Sequence, residues 1–254
     1  MTTQVLVERR GERLALTLNR PERRNAITVA MYAALADAIE AAADDPAIRV
    51  ITLEGRGVDF TAGNDLADFM NELPQDGQQD VPVWRLLRAL ARNMVPLVAA
   101  VHGNAVGIGT TLLFHCDLVI AEEGTRFLMP FTDLGLVPEA ASSLLLPRMA
   151  GRRVAARHLL LGEPFTVEEA ERYGLVSHRA DAGGLEDRLE AVVVNLLAKP
   201  PQALRLTQSL LRGRDHDEVL NRMEWENGHF SERLKSDEVR EAITRFFAAR
   251  AAKS

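Results

Sequence analysis

Cysteine, long apolar runs and excess positive charge are all scarce in this chain, and each scarcity removes a class of protein. Of 254 residues only one is cysteine, Cys116. An internal disulfide framework and a multi-cysteine zinc site are therefore excluded, and a reducing compartment is the expected setting. The formal net charge is −6. No domain-wide positive field exists to replace the counterions of a nucleic acid, although a local basic patch still suits a small polyanion. No stretch approaches the ~18 uninterrupted apolar residues of a membrane span. The opening MTTQVLVERRGER lacks a signal peptide's basic head and apolar run, and the closing AAKS is not a peroxisomal tripeptide, so the expected address is cytoplasmic.

What is present is ordinary globular material: 47% hydrophobic and 26% charged residues, enough to bury a core without staples. Val5 to Val7 and Leu14 to Leu18 alternate around Arg10-Gly11 and predict a β-hairpin. Thr28 is placed to cap a helix running to about Ala43, with Met31, Leu35, Ile39 and Ala42 on one face. Strands are expected at Ile48 to Leu53, Leu97 to Val101, Leu118 to Ala121 and Phe127 to Leu128, and helices at Val83 to Arg92 and Ile108 to Phe114. Such alternation implies βαβ crossovers and a largely parallel sheet. Beyond Pro138 nearly everything reads as helix, broken at Gly151, Gly162-Glu163-Pro164, Gly174, Gly183-Gly184 and Pro200-Pro201. The expected layout is an α/β core over 1–195 and a helical region over 196–254, with no internal repeat.

Three segments share a design in which a strand enters a glycine turn that opens a helix: FTAGNDL from Phe60, HGNAVGIGTTLL from His102, and PFTDLGLVPEAASSLLLP from Pro130. Helix N-termini carry unpaired amides, and two such amides aimed at one point make an oxyanion hole. Gly107 and Gly109 do not complete a dinucleotide fingerprint, because Leu112 holds the third glycine's place. His102, His115 and Cys116 show no zinc spacing and no nucleophile elbow; Cys116 reads as packing and His102 as structural.

FTAGNDL, HGNAVGIGTTLLFHCDLVIA and PFTDLGLVPEAASS, with RPERRNAIT from Arg20 to Thr28, resemble the enoyl-CoA hydratase/isomerase (crotonase) superfamily, closest to its peroxisomal-type Δ3,Δ2-enoyl-CoA isomerase branch. The resemblance spans Val5 to the C-terminal helices. It implies an α/β spiral of βαβ units whose C-terminal helices build a homotrimer or a dimer of trimers. It also implies acyl-CoA as substrate, with no metal or redox cofactor and neither nucleic acid nor membrane as partner. By position, the two oxyanion-hole amides fall on Asn64 and Ile108. The two glutamates of the hydratases fall on Thr111 and Phe131, neither of which is an acid or base near neutral pH. The single glutamate of the isomerases falls on Glu139. Arg24, Ala26, Ala62, Asp65, Leu66, Gly107 and Phe131 are the implied substrate contacts.

Each residue also has a plainer reading. Glu139 after Pro138 suits the first turn of a helix, where the dipole lowers its pKa while burial beside Phe131 and Leu136 raises it; burial is expected to win. Asn64 or Asp65 suits a helix cap. Arg20, Arg23 and Arg24 are either a phosphate-binding cluster or solvated charges. Leu66, Phe69, Met70, Met129 and Phe131 are acyl-pocket wall or core, and Leu204 to Phe247 is an assembly surface or an internal helical core.

Overall fold

The computed structural model describes residues 4–71, 81–213 and 216–251. The chain begins with the hairpin expected at Arg10-Gly11: β1 (Val5–Arg10) pairs antiparallel with β2 (Arg13–Leu18), and Gly11 takes a φ of 64° at the turn. Helix α1 (Val29–Asp44) is capped by Thr28, whose hydroxyl accepts from the Met31 amide at 3.3 Å. β3 (Val50–Gly55) starts two residues later than expected from Ile48. Then follow α2 (Leu66–Asn71), α3 (Pro82–Arg92), β4 (Leu97–Val101) and β5 (Asn104–Val106). The helical stretch from Ile108 divides into α4 (Ile108–Thr111) and a 3-10 turn, Leu112–His115, and leads to β6 (Leu118–Glu122) and β7 (Arg126–Leu128).

β2, β3, β4 and β6 form a parallel run in one sheet, ordered β1-β2-β3-β4-β6 and continued by β9 (His178–Ala180). A second sheet holds β5 and β7 in parallel with the short β8 (Phe165–Thr166) antiparallel at its edge. β8 and β9 correct the expectation that nearly everything after Pro138 is helical, and β5 was not foreseen. Two or three residues carry no alternation to read, and these strands exist because a neighbouring strand offers them hydrogen bonds.

The remaining elements are α5 (Ser142–Ala150), α6 (Arg152–Leu160), α7 (Val167–Tyr173), α8 (Leu185–Leu197), α9 (Pro201–Arg212), α10 (His216–Leu234) and α11 (Asp237–Ala251).

β4 explains the sheet's composition. In LVAAV, Leu97, Ala99 and Val101 join the main core with α1 and α3, while Val98 and Ala100 pack with Leu189, Val192 and Val193 of α8. A strand covered on both faces leaves no position for a polar residue. After each long strand the chain turns toward the second sheet. β4 reaches β5 through Gly103, and β6 reaches β7 through Gly124, both at positive φ. Past β3, Thr61 bridges Ala105 of β5 in parallel. The βαβ turns therefore stack, although no sequence repeat announces them.

The expectations for Leu204 to Phe247 divide by helix. Met223, Phe230, Leu234, Val239 and Ile243 of α10 and α11 are buried in the main core, whereas Leu206, Leu210 and Leu211 of α9 are exposed. The Phe247 side chain lies outside the described residues. Phe230 seats α10 on α3 through an edge-to-face contact with Trp84, centroids 5.8 Å apart. Truncating a buried aromatic removes both transfer energy and contacts. Phe230→Ala is therefore expected to lower the unfolding free energy by ~3–5 kcal/mol in urea titration. A loss under about 1 kcal/mol would mean that α10 is not held by this contact.

Candidate active site

The segment Arg20 to Thr28 is stitched to the loop after β3. Asn25 is fully buried, and its side-chain amide donates to the carbonyls of Arg56, Asp59 and Phe60 at 2.7, 2.9 and 3.2 Å. Its Oδ1 accepts from the Arg20 amide. Ala62 N–H donates to the Arg24 carbonyl, Ile27 N–H to Gly63, and Asp65 N–H to Ile27. Arg24 and Asn25 both sit at positive φ, 51° and 54°, a costly pair that these bonds hold in place.

This stitching separates the three arginines. Arg20 is committed internally, donating to Asp65 Oδ2 at 2.6 Å and to the Ala26 carbonyl at 3.0 Å. It is not a free phosphate ligand. Arg23 is exposed, and the Arg24 side chain is 67% exposed with only a 3.7 Å contact to Asp59. Asp65 does cap: its Oδ1 accepts from the Ala67 and Asp68 amides, and these bonds with Arg20 hold its carboxyl below the ordinary range against the opposing effect of burial.

The amides of Asn64 and Ile108 lie on adjoining loops. Thr61 N–H donates to the Asn104 carbonyl and Val106 N–H to the Thr61 carbonyl, both at 3.1 Å. Two glycines permit the approach. Gly63, at φ 86°, would with a Cβ come within 2.8 Å of the Val106 carbonyl oxygen; a Cβ on Gly109 would lie 2.2 Å from Thr61 Cγ2. Gly107, at φ 56°, turns the chain into α4. Among the described residues no acceptor takes the Asn64 or the Ile108 N–H. Ile108 opens α4, where first-turn amides have no helical partner, so both amides are available donors.

Glu139 is buried, 1% exposed. The structure corrects its local setting: α5 begins at Ser142, so Glu139 precedes the helix rather than opening it, on a turn where Ala140 and Ala141 adopt φ of 58° and 56°. Three anchors hold this turn. The Ser142 amide and hydroxyl donate to the Glu139 carbonyl at 2.9 and 2.6 Å. The His115 imidazole donates to the Ala140 carbonyl at 2.9 Å. Glu226 of α10 accepts from the Ala141 amide at 2.6 Å.

The Thr111 hydroxyl donates to Glu139 Oε1 at 3.1 Å. Thr111 is three residues after Ile108 on α4, so the carboxyl is bonded to the same short helix that the Ile108 amide opens. Burial pushes the Glu139 carboxyl up to about 8; the Thr111 hydrogen bond opposes this and the charge of Glu226 adds to it. Burial pulls His115 down to about 4, with the Ala140 contact opposing and Arg212 assisting, so its imidazole is neutral at pH 7. The Tyr32 hydroxyl donates to Asn64 Oδ1, and burial with the charge of Glu139 pushes its pKa well above the usual phenol value.

The other positions divide clearly. Met129 and Phe131 are buried in the core, Leu66 is half-buried at the start of α2, and the side chains of Phe69 and Met70 lie outside the described residues. His102 bonds the Gly57 carbonyl, and Cys116 packs against the core. Among the described residues no cluster of His, Cys, Asp or Glu is arranged to hold a metal, and no helix is long and apolar enough to cross a membrane.

Tyr32, Glu226 and the donor role of Thr111 were not anticipated. A signal existed for Glu226: Met223 and Phe230, three before and four after, mark the buried stripe of α10, and a charge on that stripe needs a reason.

Known proteins with this architecture include an enoyl-CoA hydratase/isomerase of Pseudoalteromonas atlantica, which superposes with a TM-score of 0.92 at 39% identity over 97% of this chain and 98% of that one. Curated relatives include both kinds of activity. A 1,2-epoxyphenylacetyl-CoA isomerase of Escherichia coli is 34% identical over 93% of this chain and 92% of its own. A 2,3-dehydroadipyl-CoA hydratase of the same organism is 37% identical over 69% and 68%. Enoyl-CoA delta isomerase 2 of Rattus norvegicus is 34% identical over 95% of this chain and 63% of its own length. The enoyl-CoA hydratase/isomerase family profile matches residues 10–253, and the chain belongs to that family.

Proposed function

We propose that the chain is a Δ3,Δ2-enoyl-CoA isomerase in which Glu139 is the single acid–base group. What carries the reading is one buried carboxyl, raised toward neutrality, beside a loop pair with two uncommitted amides. The thioester carbonyl oxygen of a 3-enoyl-CoA accepts from the Asn64 and Ile108 amides. Glu139 removes a proton from C2, and the electron pair spreads over the dienolate. The same carboxyl returns the proton to C4, leaving the 2,3 double bond. Proton and charge balance within the site, so the step requires no redox cofactor or metal. Each oxyanion donor in such a site contributes ~3–4 kcal/mol to lowering the barrier.

Hydration by the family's two-glutamate route has no support at the matching positions. Thr111 spends its hydroxyl on Glu139, and Phe131 is apolar. The second nearby carboxyl, Glu226, is engaged by backbone amides on the far side of the turn. For the substrate, Arg24 is the arginine placed to meet phosphate, with Ala26, Ala62, Asp65, Leu66, Gly107 and Phe131 along the same loops. The exposed leucines of α9 support self-association, and a homotrimer or a dimer of trimers is the proposed assembly.

Purified protein given 3-hexenoyl-CoA and 2-hexenoyl-CoA in parallel should conjugate the first and add no water to the second. Rapid hydration of 2-hexenoyl-CoA would overturn the assignment. Glu139→Gln should lower kcat at least ~100-fold while acyl-CoA affinity persists, as for removal of a general base; unchanged turnover would overturn Glu139 as the base.

Because the base must be ionised, kcat/KM should rise with pH through an acid limb near 8. The sign for stability is opposite. Between the ordinary glutamate pKa and about 8 the folded chain binds a proton that the unfolded chain has released, so stability falls as pH rises across that window. Glu139→Gln should remove this slope, and its thermal midpoint should exceed that of the native sequence at pH 8.5. Parallel stability–pH curves for the two would show that Glu139 is not held protonated.

A further inference from the structure

We propose that Glu226, contributed by the C-terminal helix α10, is a positioning residue that fixes the Glu139 turn by acting as the missing cap of α5; this rests on Glu139 being the base. The N-terminus of α5 has no cap of its own. Its N-cap residue is Ala141, with no side-chain oxygen to offer and a left-handed backbone. Glu226 fills the role from 85 residues away: Oε2 accepts from the Ala141 amide at 2.6 Å, and Oε1 accepts from the Ser143 amide at 3.0 Å and from the Ser143 hydroxyl. Arg222, one turn earlier on α10, reaches the same Ser143 hydroxyl at 3.3 Å.

All three contacts are donated to Glu226, so its carboxylate form is the one they fit. The side chain is 5% exposed, and a buried carboxylate persists only where donors converge on it. Alanine at 140 and 141 disfavours the left-handed conformation, since neither side chain can bond locally to offset it. Without Glu226 the turn would relax toward ordinary φ and carry the Glu139 carboxyl away from Thr111 and the loop amides.

Glu226 has a second effect through charge. The groups acting on the Glu139 carboxyl are Tyr32 of α1, Thr111 of α4 and Glu226 of α10; His115 of the following 3-10 turn bonds the neighbouring Ala140 carbonyl, Arg222 of α10 acts on Glu226, and Arg212 of α9 acts on His115. Tyr32 and His115 remain neutral from about pH 5 to 9, because burial pushes the one up and the other down to about 4. The charge of Glu226 thus adds to burial in disfavouring ionisation of Glu139, while burial pushes Glu226 itself up against the opposing hydrogen bonds from Ser143 and Ala141.

The test uses the full chain with Glu226→Ala and Glu226→Gln, and Glu139→Gln as control, assayed on 3-hexenoyl-CoA across pH 6 to 9.5 with thermal midpoints recorded. Glu226→Ala should lose roughly 10- to 100-fold in kcat, the scale of a misplaced catalytic group, with KM changed less than about threefold. Glu226→Gln keeps the size but removes the charge and one of the two accepting oxygens, so the acid limb of kcat/KM should move to lower pH, a change that a merely structural role would not produce. If Glu226→Ala fails to fold, the glutamine variant carries the test. Turnover persisting in Glu139→Gln overturns the base assignment itself. An inactive Glu139→Gln together with a Glu226→Gln profile superimposed on the native one overturns the positioning role alone.

Discussion

A carboxyl buried on a strained turn is the constraint around which this molecule is organised. Glu139 is nearly inaccessible, with Thr111 as its hydrogen-bond partner, and the two residues after it are alanines in a conformation costing on the order of 1–3 kcal/mol each. Local sequence would not hold such a turn. It is held by Ser142 just beyond it, by His115 after α4 and by Glu226 from α10. The core supplies the rigidity behind each anchor. Phe230, one turn beyond Glu226, packs on Trp84, and Arg212 bonds the His115 carbonyl while reaching the carbonyls of Leu90 and Ala91 at the end of α3. The C-terminal helices are thus part of the site's framework as well as its covering.

The amide pair depends on a different economy, that of close backbone approach. Gly63 and Gly109 are required because a Cβ at either would meet the opposing loop. Thr61 serves both sides: its hydroxyl donates to the Asn25 carbonyl and accepts from the Gly63 amide, while its backbone pairs with β5. Asn25 then ties the Arg20 loop to the same place. Tyr32 adds a link that runs from α1 to the Asn64 side chain. One consequence is that the amide after Gly63 and the carboxyl at 139 are fixed by separate scaffolds, stacked βαβ turns for the first and helix packing for the second.

This division explains what the sequence disclosed. The hairpin, the Thr28 cap and the apolar strand LVAAV rest on neighbours in the chain, so periodicity and turn chemistry reveal them. The glycine loops were legible because positive φ and close approach demand a particular residue. β5, β8 and β9 were hidden because strands of two or three residues are selected by a partner, not by their own pattern. The burial of Glu139 and the upward push on its carboxyl were expected from the sequence, but its backbone setting was not. Pro138 suggested a helix start, while the backbone makes two left-handed residues first. Nothing in PEAASS names Glu226, which reaches the turn only through tertiary packing. Arg20 misled in the opposite direction, since its clustering with Arg23 and Arg24 conceals a buried commitment to Asp65.

The electrostatics of the proposed reaction favour burial. A proton shift by one carboxylate creates no net charge: the negative charge leaves Glu139 as it takes the C2 proton and reappears on the thioester oxygen. In a site of low polarity the cost of ionising Glu139 and the cost of forming the enolate are the same kind of cost. A desolvated base is a stronger one, and two fixed amides receive the charge without solvent rearrangement. With a pKa near 8 about a tenth of the base is ionised at pH 7, a modest loss against the gain in basicity. Hydration places a different demand, because a water must be bound and split between two acid–base groups. Thr111 and Phe131 offer one hydroxyl already donated and one apolar ring. A single buried carboxylate is therefore suited to moving a proton along an acyl chain, which is the reaction proposed for this site.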